Sequence, residues 1–445
     1  MSVSDKTGKT RRADSVCRII RSLVEPTVIP RADHSISRDQ IDPDALKVLY
    51  RLRKFHHQAC LVGGGVRDLL LGRAPKDFDI GTSAHPNEVK RIFRNCWIIG
   101  RRFRLAHVKF GPKTIEVATF RRLVTPDELA AAEAEDERAA QARTDAGNKA
   151  PRRPIRRDNT FGTAEEDAFR RDFTINALFY DIATFSVIDY VGGMEDLRAG
   201  VIRSIGDPGE RFIEDPVRML RALSFTARLG FTLDPPVQRA IKRHKAEIGK
   251  ASPARMIEEL YKILRSGFAT PIFRSLSEHG LLESIAPEVE RRKTSSLWRS
   301  LELLDTYRTR FESAPGTLTN PILLGSLVQP VQPLDLTPRR RDDKRPLDVK
   351  LGQLPVARRD VERLRQSLRI QPRLQDPDLG TRAQRAVMHR GAFGEAMTWL
   401  EIHSDDDVSL GRWKAHLALG KPEQSVVKRR RRRPRRRKGK TPAGS

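Results

Sequence analysis

Residues 61–80 read LVGGGVRDLLLGRAPKDFDI, and no other stretch constrains this chain as tightly. Gly63, Gly64 and Gly65 close a short apolar strand (Cys60, Leu61, Val62) and open into a helix carrying Arg67 and Asp68. Glycines at such a turn let the backbone approach a phosphate, and the helix N-terminus adds partial positive charge. Gly63, Gly64 and Arg67 are therefore candidate phosphate- or nucleotide-binding residues. Asp77 and Asp79 follow, one residue apart. If residues 77–80 form a strand, the two carboxylates share a face while Phe78 and Ile80 enter a core. Paired carboxylates suit a hard divalent cation such as Mg²⁺, which is commonly held by one or two acids plus substrate phosphates. A lone DxD is often no more than two surface acids. Preceded by GGGVRD and a leucine-rich helix, it points to nucleotidyl or phosphoryl transfer.

The charge balance narrows the partner. The chain has 445 residues with a formal charge of +27, 38% apolar and 32% charged content. Its length suggests about three domains. So large a cationic excess repels itself and calls for an anionic partner, with nucleic acid first in line. Within residues 428–440, 11 of 13 positions are Lys or Arg; without those eleven charges the rest of the chain still carries +16. Such a block is expected to be disordered and to contact RNA or DNA, ahead of a role as a localisation signal or acidic-protein tether. Cys17, Cys60 and Cys96 cannot all pair and show no CxxC spacing, which fits a reducing, cytoplasmic setting and argues against cysteine-bound zinc. No apolar run is long enough to span a bilayer, and no secretory signal is recognisable.

Along the chain, residues 1–40 read as a polar, disordered arm. Residues 41–57 read as a helix with Ile41, Leu46, Val48, Leu49, Leu52 and Phe55 on its apolar face, Pro43 shifting the start later. A helix over 86–93 and strands over 107–110 and 115–120 follow, the strands parted by Gly111-Pro112. Residues 125–160, rich in alanine and glutamate and then in PRRPIRR, break the pattern as a long insertion would. Strands are expected at 173–181, 186–190 and 201–205. From Arg211 onward helical periodicity takes over, with Pro216 at a helix start and Val217, Leu220, Leu223 and Ala227 on one side. Helical signals recur at 261–264 and 273–282, and residues 329–347 read as a linker. Strands first and helices afterwards predict an α/β or α+β head on an all-helical body.

Three further groups of residues carry chemistry. Glu116 sits in TIEVATF, where a charge on an apolar strand needs a reason. Asp172 sits in RRDFTINAL. Either could be a third active-site acid, and either could instead be a salt-bridged carboxylate. Arg170, Arg171, Asp172 and Asn176 form a group in which arginine can fork onto phosphate and Asp or Asn can bond ribose hydroxyls. Glu214, Asp215 and Arg218, in EDPVR, are spaced to share a helix face and could present donors and acceptors to a base edge, although acids at a helix start are also ordinary caps. Arg221 and Arg228 extend a basic stripe suited to RNA or triphosphate.

Taken in order, these motifs resemble those of the class II branch of the polymerase-beta-like nucleotidyltransferases, which holds CCA-adding enzymes and bacterial poly(A) polymerases. LVGGGVRDLLLG…DFDI resembles the first motif and RRDFTINAL the second. DYVGGMEDL (Asp189, Gly192, Gly193, Asp196, Leu197) resembles the third, a hinge, and EDPVRMLRALSFTARLGF the fourth, which reads the incoming base. The likeness covers residues 45–265 and is loose beyond. IIGRRFRLAHVKFG (98–111), DNTFGT (158–163) and the arginine-rich tail are more similar to the poly(A)-polymerase group than to the CCA-adding one.

The resemblance implies an α+β fold: a polymerase-beta-like head with a mixed β-sheet, followed by an all-helical neck and body. It implies a head over 41–205 with a flexible insertion at about 125–163, an RNA- and nucleotide-binding neck over 206–265, a body over 266–425 and a basic tail over 426–445. It implies template-independent addition of AMP from ATP to RNA 3′ ends, with Mg²⁺ or Mn²⁺ held by Asp77 and Asp79. Asp172 or Glu116 would complete the acids. Gly63, Gly64, Arg67, Arg170, Asn176, Asp215, Arg218 and Arg221 would contact nucleotide, with Asp215 and Arg218 reading adenine. Expected partners are ATP, RNA 3′ ends, and RNA-decay or RNA-chaperone proteins. The rival expectations are a CCA-adding tRNA nucleotidyltransferase and a catalytically inactive RNA-binding protein.

Overall fold

The structure is a computed structural model and describes residues 25–100, 104–122, 160–337 and 349–419. The basic tail, most of the insertion at 125–163, the first 24 residues and part of the linker expected at 329–347 lie outside the described residues.

The chain enters a sheet at β1 (Thr27–Ile29) and packs helix α1 (Pro43–Lys54) beneath it. Asp42 caps α1 by accepting from the N–H groups of Asp44 (2.8 Å) and Ala45 (3.2 Å), and Pro43 occupies its first turn. Ala45, Val48, Leu49 and Leu52 face the core, whereas Phe55 lies outside the helix and is exposed. Then come β2 (Ala59–Val62), α2 (Gly64–Leu70), β3 (Ile80–Thr82), α3 (Pro86–Ile92), β4 (Cys96–Ile99), β5 (Leu105–Phe110), β6 (Lys113–Thr119), α4 (Ala164–Phe169), β7 (Leu178–Asp181) and β8 (Ser186–Asp189). The strand order is β1-β8-β7-β2-β3-β6-β5-β4. Neighbours are antiparallel except β3 and β6, which run parallel with Ile80 opposite Val117. The sheet is thus mixed and the fold α+β.

One face of this sheet packs Ile80, Ala106, Val108, Ile115 and Val117 onto α1 and α3. The other is covered only near its middle, where Cys60, Val62, Phe120 and Phe179 meet Ala164 and Ala168 of α4. The remainder of that second face, over β3, β6 and β5, is where charged side chains emerge.

Beyond the sheet the chain runs through α5 (Gly193–Ala199), β9 (Val201–Ile202), α6 (Pro208–Glu214), α7 (Val217–Leu229), β10 (Thr232–Leu233), α8 (Pro235–His244) and α9 (Pro253–Leu264), and the rest is helical. α7 buries Val217, Leu220 and Leu223 along one side. Among the described residues no helix is long and apolar enough to cross a membrane.

Several expectations need correction. Asp77 and Asp79 precede strand β3 rather than lying in it. β2 turns away into α2 at Gly63, so no strand stands opposite Asp77, and only the Asp79 carbonyl reaches the ladder, accepting from Val62 N–H at 3.1 Å. The strand expected at 173–181 is broken by a 3-10 turn over Thr174–Asn176, and the one at 201–205 shortens to β9, which pairs parallel with β10 outside the main sheet. Residues 27–29, expected in a polar arm, form the β-branched edge strand against β8. β4 was not anticipated; it is held at the other edge by antiparallel pairing to β5. Gly280, at φ 70°, ends the helix Ala269–Glu278, so residues 273–282 are not one helix.

Tight contacts explain two glycines. A Cβ at Gly65 would lie 3.2 Å from the Asp77 carbonyl oxygen, so this glycine lets the acid-bearing segment rest on the first turn of α2. A Cβ at Gly81 would lie 2.6 Å from Phe120 Cε1 and 2.9 Å from Val62 Cγ1, both in the second core. Gly81→Ala is therefore expected to destabilise the protein by about 1–3 kcal/mol through overpacking. Thermal denaturation checks this, and an unchanged Tm would contradict it.

Candidate active site

Three carboxylates lie together on the open face. Glu116 is flanked on β6 by buried Ile115 and Val117, so its side chain points away from the core. The parallel register that sets Ile80 opposite Val117 brings Asp79 level with Glu116. Glu116 Oε1 lies 3.7 Å from His107 Nε2 on β5, and its side chain is 50% exposed. Asp77 stands further out, 72% exposed, with Lys76 Nζ at 3.7 Å. Asp79 forms the floor; water reaches it, yet protein surrounds it on most sides. Burial, then the charges of Glu116 and Asp77, push the Asp79 carboxyl up to about 6, against the pull of Arg171. Among the described residues no three Asp, Glu, His or Cys side chains are already gathered around one point tightly enough to cage an ion. The acids share a face and would close on a cation by side-chain rotation.

Beside this floor stands the N-terminus of α2. Gly63 caps it at φ 73°, a conformation only glycine adopts cheaply, and a Cβ there would meet Arg171 Nη1 at 3.0 Å. Arg67, on the next turn, is 4% exposed and turned inward. It donates to Asn176 Oδ1 (2.6 Å) and Asp68 Oδ1 (2.7 and 2.9 Å) and lies 5.1 Å from the Phe225 ring centre on α7. Arg67 and Asn176 thus brace α2, the 3-10 turn and α7.

The adjacent arginines divide their work. Both grip the buried Asp167 of α4, Arg170 at 2.5 and 2.8 Å and Arg171 at 2.8 and 3.1 Å. Burial drives the Asp167 carboxyl toward neutrality, but Arg171 and Arg170 outweigh it and hold the group below its usual range. Arg171 also donates to the Asn176 carbonyl (3.1 Å), and its guanidinium is the one Asp79 senses. Arg171 therefore overlooks the acids, although sequence reasoning singled out Arg170. Two neighbouring arginines carry no sequence signal for which one turns inward; the 3-10 turn that follows decides it.

The two candidates for the third acid part company. Asp172 is nearly enclosed, at 11% side-chain exposure. Its Oδ1 accepts from Phe173 N–H (2.9 Å) and Asn176 Nδ2 (3.2 Å), and its Oδ2 from Arg221 Nε and Nη2, both at 2.7 Å. Burial opposes its ionisation, but Arg221 more than compensates and lowers its pKa. Asp172 is tied to α7 through Arg221; Glu116 is the acid beside Asp79. A second tie escaped sequence reasoning. Arg211 donates to the carbonyls of Arg170 and Arg171, both at 2.7 Å, and to Glu214 at 2.7 Å.

In EDPVR, the side chains of Asp215 and Arg218 face separate partners. Arg255 on α9 forks onto Asp215 at 3.0 and 3.1 Å, while Arg218 donates to Glu214 at 3.1 Å. Arg255 lies 40 residues from Asp215 and in no motif, so spacing could not have found it. The third motif is a bracket. Asp189 accepts from the N–H groups of Val191, Gly193 and Met194, and Asp196 binds Thr174 and Arg203.

Residues 59–203 match the family described as poly A polymerase head domain. That stretch is similar to a poly A polymerase head, and it holds Asp77, Asp79 and Glu116. Residues 230–292 match a second family, described as the probable RNA and SrmB-binding site of polymerase A. Poly(A) polymerase I of Escherichia coli O157:H7 is 49% identical over 270 residues, 61% of this chain and 55% of that protein. The Haemophilus influenzae poly(A) polymerase I is 40% identical over 63% of this chain and 57% of that protein. A CCA-adding enzyme of Geobacillus stearothermophilus is 35% identical over 58% of each. The chain therefore spans little more than half the length of the curated relatives it matches. Among solved structures, the Bacillus stearothermophilus CCA-adding enzyme in complex with CTP superposes with a TM-score of 0.56 at 25% identity, covering 85% of this chain and 83% of that one. The resemblance read from the four motifs agrees with these matches, and the fold is the one it implied.

Asp79 gives a pH signature that needs no turnover. Its folded pKa lies above the ordinary carboxylate value, so the native state binds the proton more tightly than the unfolded chain. Its ionisation then weakens the fold as pH rises through about 4 to 6, and the penalty is fully present at pH 7. In the absence of divalent cation, Asp79→Asn should raise Tm at pH 7.5 and lose that advantage at about pH 4. An advantage independent of pH, or none at pH 7.5, would contradict the charge crowding.

Proposed function

We propose that this protein is a template-independent RNA adenylyltransferase that adds AMP from ATP to RNA 3′ ends and releases pyrophosphate. What carries the reading is the set of Asp77, Asp79 and Glu116 on one face beside a glycine-capped helix end, where burial and then the neighbouring charges make Asp79 resist ionisation. Carboxylates held together at such a cost suit a site completed by cations. The identity to poly(A) polymerase I, 49% against 35% for a CCA-adding enzyme, favours ATP alone over successive CTP and ATP.

In this reading the RNA 3′ oxygen attacks the α-phosphorus of ATP, and the bond to the β-phosphate bridging oxygen breaks. A Mg²⁺ or Mn²⁺ ion held by Asp77 and Asp79 would supply charge neutralisation and Lewis acidity there. Glu116 would take the hydroxyl proton. Arg171 and the N–H groups of Gly64 and Gly65 face the phosphates. Asp172 with Arg221, and Asn176 with Arg67, keep head and neck in register beside the ribose. Arg170 holds Asp167 and supports Arg171. Asp215 and Arg218 would read adenine by exchanging Arg255 and Glu214 for the base edge. Rate enhancement then comes mainly from positioning and preorganised charge.

The head would span 41–205, the neck 206–265 and the body 266–425, with an N-terminal arm and the 426–445 tail lending further RNA affinity. Residues 230–292, matching the family described as a probable RNA and SrmB-binding site, are the proposed surface for RNA and for RNA-decay or RNA-chaperone partners. A cytoplasmic setting suits Cys60 and Cys96, which are both free and buried.

Purified protein, a short unstructured RNA, Mg²⁺ and each nucleoside triphosphate in turn test the reading. ATP alone should be polymerised; ordered addition of CTP then ATP to tRNA would assign CCA addition instead, and no incorporation would leave an inactive RNA binder. Asp77→Ala, Asp79→Ala and Glu116→Ala should each cut incorporation by at least about a hundredfold, with RNA affinity largely kept. Asp172→Ala should chiefly raise KM for ATP by loosening the neck. Equal losses at Asp172 and Glu116 would reject that division of roles. Arg218→Ala should erode the preference for ATP over CTP and GTP; unaltered selectivity would make EDPVR a helix cap and no more.

A further inference from the structure

On the face of the sheet opposite the acids lies a cavity of about 620 Å³, lined by Lys47, Tyr50, Arg51, Lys54, Phe93, Arg94, Asn95 and Phe110. The first four fall at i, i+3, i+4 and i+7 on α1, a single helical stripe turned away from the buried Ala45, Val48, Leu49 and Leu52. The facing wall is the end of α3 with the start of β4, closed by Phe110 at the β5–β6 turn. Four cations converge on this space. Lys47 is shared with Asp44 at 2.8 Å, and Arg51 is anchored by donating to the Ile92 carbonyl at 3.1 Å. Lys54 and Arg94 have no carboxylate partner among the described residues. The rings are equally deliberate in placement: Lys47 lies 5.8 Å from the Phe110 ring centre, Arg51 5.6 Å from that of Phe93, and Tyr50 is exposed. Cations interleaved with aromatic faces suit a chain of phosphates and bases.

A neighbouring feature distinguishes a strand of RNA from a lone nucleotide. Trp97 is 52% exposed on β4, with Lys109 Nζ 5.1 Å from its ring centre. Trp97 pairs with His107, and His107 with Glu116, so Trp97 lies on the acid face of the same sheet. Asn95, in the cavity wall, bonds both ways with the Lys109 backbone. Basic and aromatic side chains therefore continue around the β4 edge from the acid face to the cavity. We infer that this cavity is a second binding site for single-stranded RNA, holding a nucleotide of the substrate upstream of the reacting 3′ end. The inference rests on the adenylyltransferase reading for its substrate, but its test requires no catalysis.

The test measures binding of a labelled 20-nucleotide oligoadenylate to the full chain by fluorescence anisotropy across a salt series. The double variant Lys54→Glu/Arg94→Glu, both at exposed positions outside the proposed active site, should weaken binding about tenfold. It should also flatten the slope of log affinity against log salt by about 1.4, or 0.7 for each phosphate lost. The same charge reversal at Arg299 and Arg359 on the helical body serves as control and should change affinity less than twofold. Tyr50→Ala, which keeps the charge, should weaken binding without changing the slope. Affinity of the double variant within twofold of the parent, or an equal loss in the control, overturns the inference. Unchanged RNA affinity with AMP shielding Lys54 from acylation would assign the cavity to a free nucleotide and overturn it as well. If the parent protein itself fails to bind RNA, the adenylyltransferase reading falls with it.

Discussion

The enclosure of the Asp79 carboxylate beside Glu116 and Asp77 is the constraint on which the rest of this structure turns. Burial raises the cost of ionising Asp79, and the charges of Glu116 and then Asp77 add to it. A fold optimised for stability alone would not seat these acids side by side. Here the backbone is shaped to do so. The parallel β3–β6 pairing sets two of them level, and the missing side chain of Gly65 lets the Asp77 segment lie against α2. The positive charge of Arg171 compensates only in part.

Around that floor the polar groups are satisfied by one another. Arg67 with Asn176 and Arg171 with Asp167 pair within the sheet-bearing part, Asp215 with Arg255 pairs among the helices that follow, and Asp172 with Arg221 joins the two. Enclosed charges of this kind are costly unless paired, and breaking one partner away is more costly still. Asp172 with Arg221, and Arg211 with the Arg170 and Arg171 carbonyls, therefore hold α6 and α7 against the segment that precedes β7. The pairs at Asp215 and Arg218 are the most exposed to exchange, since Arg255 and Glu214 are both reached by solvent. A base edge offering the same donors and acceptors would replace them with little net change in polar contacts. Selectivity would then follow from geometry that already exists in the neck.

Much of the floor was legible from sequence, for a local reason. Asp79, between Phe78 and Ile80, and Glu116, between Ile115 and Val117, sit among apolar neighbours with period-two spacing, so their outward direction follows from where the core must be. The glycine run was legible as a tight turn, yet the packing reason for Gly65 depends on a segment a dozen residues away. The longer-range pairs left no trace. Arg221 meets Asp172 across 49 residues and Arg67 meets Asn176 across 109, separations with no periodicity to read. Asp172 and Glu116 looked equivalent for this reason: each is an acid beside apolar residues, Phe173 in one case and Ile115 and Val117 in the other, and only the partner that folding delivers tells them apart. The short edge strand β1 escaped because its three residues are surrounded by polar sequence, and β4 because its length is set by pairing to β5.

The central claim is that the crowded acids exist to hold a divalent cation beside a triphosphate. The most direct measurement is Mn²⁺ binding followed by electron paramagnetic resonance, with a non-hydrolysable ATP analogue, in the parent protein and in Asp79→Asn. The account predicts a bound Mn²⁺ signal in the parent that depends on the nucleotide, weakens as pH falls below about 6 and is lost in the variant. Undiminished Mn²⁺ binding in Asp79→Asn would contradict it.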